Sequence, residues 1–259
     1  MSTLKIKVVQ INIYKGRYFK ELVKFIKSEK PDFVTMQEVT TGNFNLYDDK
    51  NANIFEMLVS ELGMFGVYNG DLKLKGQNSS IFGNAIFSKW KIIDKNVLVL
   101  KKFRPVTNLE LDGISGEIRE KIDRHLLCAT TEFMGNKIDI LCWHGAWTAP
   151  PQDTNETFRQ ATMVYEYLKK LKNPFILGGD LNAVIQSKTV SLIGTIANNL
   201  MLVANAKVTT NLKVHKIAPL GFLIDYIFSS EEFKLKLINV PGVTVSDHLP
   251  VVAELEIDL

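Results

Sequence analysis

Near its C-terminal end the chain reads Ser246-Asp247-His248-Leu249-Pro250, a carboxylate beside an imidazole just ahead of the apolar run Val251-Val252-Ala253. A carboxylate can hold a hard cation, and an imidazole can meet a phosphate oxygen or move a proton, so the pair suits phosphate chemistry. Alone it is a weak signal. Matching pieces occur at Gln10-Ile11-Asn12-Ile13, Gln37-Glu38-Val39, His144-Gly145-Ala146-Trp147, Gly178-Gly179-Asp180-Leu181-Asn182-Ala183 and Ile224-Asp225-Tyr226-Ile227. Nearly all fall where an apolar strand should end, and in open α/β sheets such ends converge on one crevice. These polar side chains are therefore expected to meet.

Each residue also has a plainer reading. Glu38 follows an apolar strand and by itself is a surface carboxylate or a capping partner. Against that, a hard divalent cation needs oxygen ligands and usually takes only one or two carboxylates plus water. Asp180 and Asn182 stand two apart, so in extended backbone both point the same way; an Asx-type turn after Gly178-Gly179 is the alternative. Together they suggest an acid that takes a proton from water and an amide that holds the water. His125 and His215 have no motif around them and read as strand-end and loop residues. Of the two tryptophans flanking His144, Trp143 ends an alternating strand and reads as core. Trp147 lies beyond the turn, where it can stack on a flat substrate group.

The elements that must position these groups follow from hydrophobic periodicity. Strands are expected at 4–13, 32–36, 64–68, 80–87, 91–100, 126–133, 137–143, 175–177, 223–229, 234–240 and 249–257. Helices are expected at 17–30, stopped by Pro31, and at 52–62, 154–172 and 188–198. The helix at 154–172 carries Phe158, Ala161, Val164, Tyr165, Leu168 and Leu171 at helical spacing. Mixed strands with interspersed helices suggest two sheets packed face to face with helices outside. A two-residue turn at Gly135-Asn136 sets Cys128 opposite position 143, so that Cys128 and Cys142 face opposite ways and stay unbridged.

The 259 residues contain no linker-like stretch and are read as one domain, 1–259. The formal charge of +3 permits a polyanionic partner without requiring one. Groups at Lys73 and Lys75, at Lys101, Lys102 and Arg104, and at Lys213 and Lys216 are read as solvated surface. The start lacks signal-peptide character, and no apolar run is long enough to cross a bilayer. With two unpaired thiols, this leads to the expectation of a cytoplasmic, reduced protein without membrane attachment, monomeric by default.

The set Gln10-Ile11-Asn12, Gln37-Glu38-Val39, Gly83-Asn84-Ala85-Ile86-Phe87-Ser88, a lone His144 after a hairpin, Gly179-Asp180-Leu181-Asn182, Asp225-Tyr226-Ile227 and Ser246-Asp247-His248 resembles the endonuclease/exonuclease/phosphatase superfamily, the deoxyribonuclease I-like phosphodiesterases. The resemblance covers almost the whole chain and implies a four-layered α/β sandwich. It implies magnesium, with manganese able to substitute, held chiefly by Glu38 with Asp247 and Asn12. It further implies that Asp225 orients His248 on the phosphate and that His144 stabilises the phosphate or protonates the leaving oxygen. The general base stays open between Asp180 and His248. Asn84 matches a position near the phosphate, with a buried amide serving backbone groups as the alternative. Tyr14 stands where some relatives carry an acid or an arginine, so a second metal ligand is missing there.

The expected reaction is metal-assisted in-line hydrolysis of a phosphate ester. A nuclease or DNA-end-processing phosphodiesterase, with nucleic acid as partner, is the first reading. Abasic-site repair is disfavoured because Gly221-Phe222-Leu223-Ile224, ahead of Asp225, lacks that branch's arginine and tryptophan. The second reading is a phosphatase or phosphodiesterase on a small molecule or lipid headgroup. The third, an inactive binding module, gives no reason to keep Glu38, Asp180 and His248 together. Trp147 and the loop 207–219 are expected to border the substrate groove.

Overall fold

The computed structural model describes residues 3–42, 46, 49, 51–77, 79–107, 110, 122–215 and 220–258. Residues 216–219 of the expected groove loop, Lys216 among them, lie outside the described residues. Strand β1 (Thr3–Asn12) alternates at its exposed start and is buried from Val8 onward, since it pairs antiparallel with β12 (Val251–Asp258) and parallel with β2 (Phe33–Gln37). A strand flanked on both edges and covered on both faces needs a continuous apolar run. The remaining strands are β3 (Phe65–Lys73), β4 (Ser80–Ser88), β5 (Ile92–Lys101), β6 (Arg124–Phe133), β7 (Asn136–His144), β8 (Phe175–Asp180), β9 (Asn198–Asn199), β10 (Asp225–Ser229) and β11 (Phe233–Asn239).

They form two six-stranded mixed sheets, ordered β11-β12-β1-β2-β4-β3 and β5-β6-β7-β8-β10-β9. Ile6, Val8, Phe33 and Ile86 of the first sheet share one core with Leu127, Ala129, Leu141 and Leu177 of the second. Helices α1 (Phe19–Glu29) and α2 (Ile54–Leu62) cover the outer face of the first sheet through Leu22, Ile26 and Leu58 against Val9, Ile11, Val34 and Met36. Helices α3 (Asn155–Leu168) and α4 (Lys188–Ile193) cover the second. The four-layered sandwich expected from the sequence is the fold.

Three local expectations are corrected. The β6–β7 turn is Met134-Gly135, with φ of 51° and 80°, so Cys128 faces Leu141 and Cys142 faces Leu127. A two-residue turn of this hand needs positive φ at both positions, which Gly135 accepts freely as the second. The cysteines still point to opposite faces and are free and buried. Helix α3 ends at Leu168 and turns Phe158 out to 42% exposure, burying Thr157 and Gln160 instead; the Thr154–Thr157 capping box fixes this rotation from the first turn. Helix α4 stops at Ile193, with Gly194 next, rather than reaching 198.

Candidate active site

Register brings the acids together. His144 is paired with Asp180 across parallel β7 and β8, and Asp180 with Asp225 across antiparallel β8 and β10, so the last residues of β7 and β8 and the first of β10 lie side by side. In the facing sheet Asn12 and Gln37 end β1 and β2 at the same level. Asn12 Nδ2 crosses between the sheets and donates to Asp180 Oδ2 at 3.1 Å. Within the second sheet the ends of β7 and β8 lie so close that a Cβ on Gly179 would stand 2.2 Å from the Trp143 carbonyl oxygen, and one on Gly145 2.2 Å from that of Leu181. Only glycine fits at either position.

Asp180 is the hub. His144 Nε2 stands 3.6 Å from its Oδ2 and His248 Nε2 3.8 Å from the same atom. Its Oδ1 accepts the Asn182 backbone N–H at 3.0 Å. Asn182 takes φ of 50°, so the chain makes an Asx turn here and the extended backbone expected at 180–182 is not formed. Its side-chain amide reaches the Gly145 carbonyl at 3.4 Å.

The Asp225 side chain is fully buried and accepts from His248 Nδ1 at 2.8 Å. The other oxygen meets Gln10 Nε2 at 3.5 Å, and Gln10 is locked by Gln37 and Thr35 between the sheets. Asp247 and His248 are held in place from two sides. Ser246 Oγ donates to the Asn12 carbonyl at 2.6 Å, and Asn211 N–H to the Asp247 carbonyl at 2.7 Å.

Burial and charge then separate the protonation states. Burial pushes Asp180 up to about 7, Asp225 adding to the rise while His248 opposes it. Burial also works against the His248 imidazolium, but the Asp225 and Asp180 carboxylates outweigh it and hold the ring well above the ordinary histidine range. His144 goes the other way, lowered well below that range by burial and then by the Arg124 and His248 charges. One imidazole is thus charged and the other neutral, with a carboxyl poised between them.

Glu38 stands at the rim with φ of 57° and accepts from Lys15 Nζ at 3.2 Å, both side chains about four-fifths buried. Burial pushes the Asp247 carboxyl up to about 6, with Glu38 adding to the shift. Glu38, Asp247 and the Asn12 amide oxygen are hard oxygen donors of the kind magnesium takes, and the surplus of acid beside them fits a cation. Two compact groups among the described residues can also offer ligands, His215 with Asp247 and His248, and Asp180 with Asp225 and His248.

Asn84 is fully buried; its amide donates to the carbonyls of His125 at 3.1 Å and Cys142 at 3.5 Å. Trp143 is core, 1% exposed, and Trp147 is half-buried beyond His144. Sequence reasoning missed several residues. His215 lies with its ring 5.5 Å from that of His248, His125 is buried against Asp71, and buried Arg124 donates to the Gly145 carbonyl at 2.9 Å. None has a local motif. Only strand pairing or the 209–215 segment folding onto Ser246–Leu249 reveals them.

The sequence matches the Endonuclease/Exonuclease/phosphatase family over residues 9–248. The chain belongs to this family. Its members are hydrolases acting on phosphate esters and are generally dependent on divalent metal. Among solved structures, the endonuclease/exonuclease/phosphatase from Bacteroides vulgatus is similar at 20% identity, TM-score 0.75, covering 98% of this chain and 100% of that one. A mannosyl-6-phosphatase from Bacteroides thetaiotaomicron is similar at 18% identity, TM-score 0.69, covering 96% and 99%. ANGEL2, a 2′,3′-cyclic phosphatase in complex with adenosine-2′,3′-vanadate, is similar at 16% identity, TM-score 0.71, covering 99% and 97%. No curated protein sequence gives a match. At these identities the likeness to solved structures establishes the fold.

Proposed function

We propose that the protein hydrolyses a phosphodiester of a nucleotide or nucleic acid by metal-assisted in-line attack of water. The observation that carries this reading is the placement of Asp180 between a neutral His144 at 3.6 Å and a charged His248 at 3.8 Å. Asp180, pushed up to about 7, can accept a proton from the attacking water near neutral pH. His248, whose ring is held well above the ordinary histidine range, serves as a donor to a phosphoryl oxygen, and this supports Asp180 as the base. Asp225 keeps its imidazolium oriented, and Asn182 is assigned to holding the water. Neutral His144 donates a hydrogen bond to the phosphate or to the departing oxygen. Glu38, Asp247 and Asn12 would hold magnesium or manganese, which polarises the phosphoryl oxygen and offsets charge on the leaving oxygen.

The nucleotide preference rests on flat and basic groups at the rim. Trp147 follows His144, and the Arg17 guanidinium lies 4.9 Å over the Tyr14 ring. A base can stack on either aromatic surface. A second reading, a small phosphate ester such as a sugar phosphate, is favoured by the full-length overlap with a mannosyl-6-phosphatase. The discriminating experiment assays purified protein with magnesium or manganese on plasmid, single-stranded DNA, RNA, 5′-tyrosyl DNA, sugar and inositol phosphates and bis-p-nitrophenyl phosphate. Faster turnover of an oligonucleotide than of any sugar or inositol phosphate is expected. The opposite order selects the second reading, and no turnover of any ester overturns both.

A further inference from the structure

Behind His144, on the side away from Asp180, four buried polar atoms have no hydrogen-bond partner among the described residues: His144 Nδ1, His125 Nε2, Asn84 Oδ1 and Asp71 Oδ2. Their residues come from four strands of both sheets and point to one corner. Leu126 faces Trp143 across β6 and β7, so His125 and His144 are the next cross-strand neighbours. Both lie on the face shared by Leu127 and Cys142, and Cys142 Sγ touches Gln37 and the Met36 carbonyl, which makes this the face between the sheets. Asn84 of β4 bridges the carbonyls of His125 and Cys142 in the same corner. Asp71, at an irregularity of β3, reaches across to His125 Nδ1.

The chemical role of each atom follows from what its residue already does. Asp71 Oδ1 accepts at His125 Nδ1, which assigns a proton to Nδ1 and, in the neutral ring, leaves Nε2 as an acceptor. The amide nitrogen of Asn84 donates to two carbonyls, so Oδ1 is its free end and an acceptor. His144 presents Nε2 to the Asp180 carboxylate, which favours the proton on Nε2 and leaves Nδ1 as an acceptor. Asp71 Oδ2 is an acceptor by nature. Four acceptors on neighbouring buried side chains therefore have no hydrogen-bond donor among the described residues, an arrangement that native interiors resolve with an enclosed donor, ordinarily water.

We propose that this corner is a built hydration site in which one or two enclosed waters donate to His144 Nδ1 and to His125 Nε2, Asn84 Oδ1 or Asp71 Oδ2. The waters lock His144 in its Nε2–H tautomer, aimed at the substrate phosphate. Asp71, His125 and Asn84 are then positioning residues that act through His144, and Asn84 serves the reaction without touching substrate. The inference rests on the reading of His144 as a neutral donor in the site.

Long-range proton–nitrogen spectra of the wild-type protein test the tautomer without any substitution. His144 protonated at Nε2 is expected, and an Nδ1–H signal overturns the proposal. Asp71→Asn and His125→Phe are then expected to lower kcat about tenfold with KM little changed, while mixing the tautomers of His144, as loss of an orienting partner does elsewhere. Folded variants that keep both kcat and the His144 spectrum overturn it, and if neither folds the wild-type spectrum decides. His144→Ala in the same assay separates the two levels. Unchanged turnover there removes His144 from the reaction, whereas the spectra judge the hydration site itself.

Discussion

Asp225 Oδ2 lies 2.8 Å from Nδ1 of His248, while the far nitrogen of the same ring looks toward Asp180 at 3.8 Å. The imidazolium lies between two carboxylates, one that fixes the orientation of its ring and one that its far nitrogen faces. Asp225→Asn keeps the shape but removes the charge that holds the ring protonated. Turnover is expected to fall by about 10² or more, with the fold intact by circular dichroism. Near-normal turnover in that folded variant would remove His248 from the chemistry.

The raised Asp180 carboxyl makes a signed statement about stability. An acid whose folded pKa of about 7 exceeds its unfolded value of 3.8 binds more protons folded than unfolded between those values. Its burial is therefore tolerated at pH 4 and increasingly opposed as pH rises toward 7. In EDTA, the melting temperature of Asp180→Asn minus that of wild type should climb across pH 4 to 7 and level off above. A flat or falling difference would mean that Asp180 ionises normally in the fold.

Lys15 Nζ sits 3.2 Å from Glu38 Oε2 and already supplies this carboxylate with a positive charge. Lys15→Met should free Glu38 and tighten manganese binding by calorimetry about fivefold, the worth of a partly exposed ion pair near 1 kcal/mol. Weaker binding in the variant would place Lys15 among the groups that support the cation rather than compete with it.

Trp147 offers a further test. Trp147→Ala is expected to weaken oligonucleotide binding by about 1 to 3 kcal/mol while leaving hydrolysis of bis-p-nitrophenyl phosphate nearly intact. If both activities fall together, Trp147 supports His144 structurally and the nucleotide reading loses its aromatic contact.

The acids at strand ends were legible because an apolar strand that stops at Asp180 or begins at Asp225 marks its own boundary, and the sheet then carries that boundary to the rim. His125 stayed illegible because its importance comes from Asp71, 54 residues away on the opposite sheet. His215 was illegible for the same reason: it is brought to His248 by the Asn211 and Thr209 contacts with Ser246–Leu249. The turn at Asn182 stood only as the alternative because alternation assumes extended backbone, and an aspartate that accepts from the second N–H along breaks that assumption. Two-residue patterning also cannot tell Met134-Gly135 from Gly135-Asn136 as the hairpin turn, since either keeps the same faces inward.

Metal-assisted phosphoester hydrolysis by Asp180 and His248, beside a cation held at Glu38, stands or falls on the metal. The most direct test strips the protein with EDTA and measures release of p-nitrophenolate from bis-p-nitrophenyl phosphate as magnesium or manganese is restored, in wild type and in Glu38→Gln. Negligible turnover in EDTA is expected, with recovery on titration in wild type and a shift of that titration to higher metal concentration in the variant. Full turnover in excess EDTA, or identical titrations for the two proteins, would contradict it.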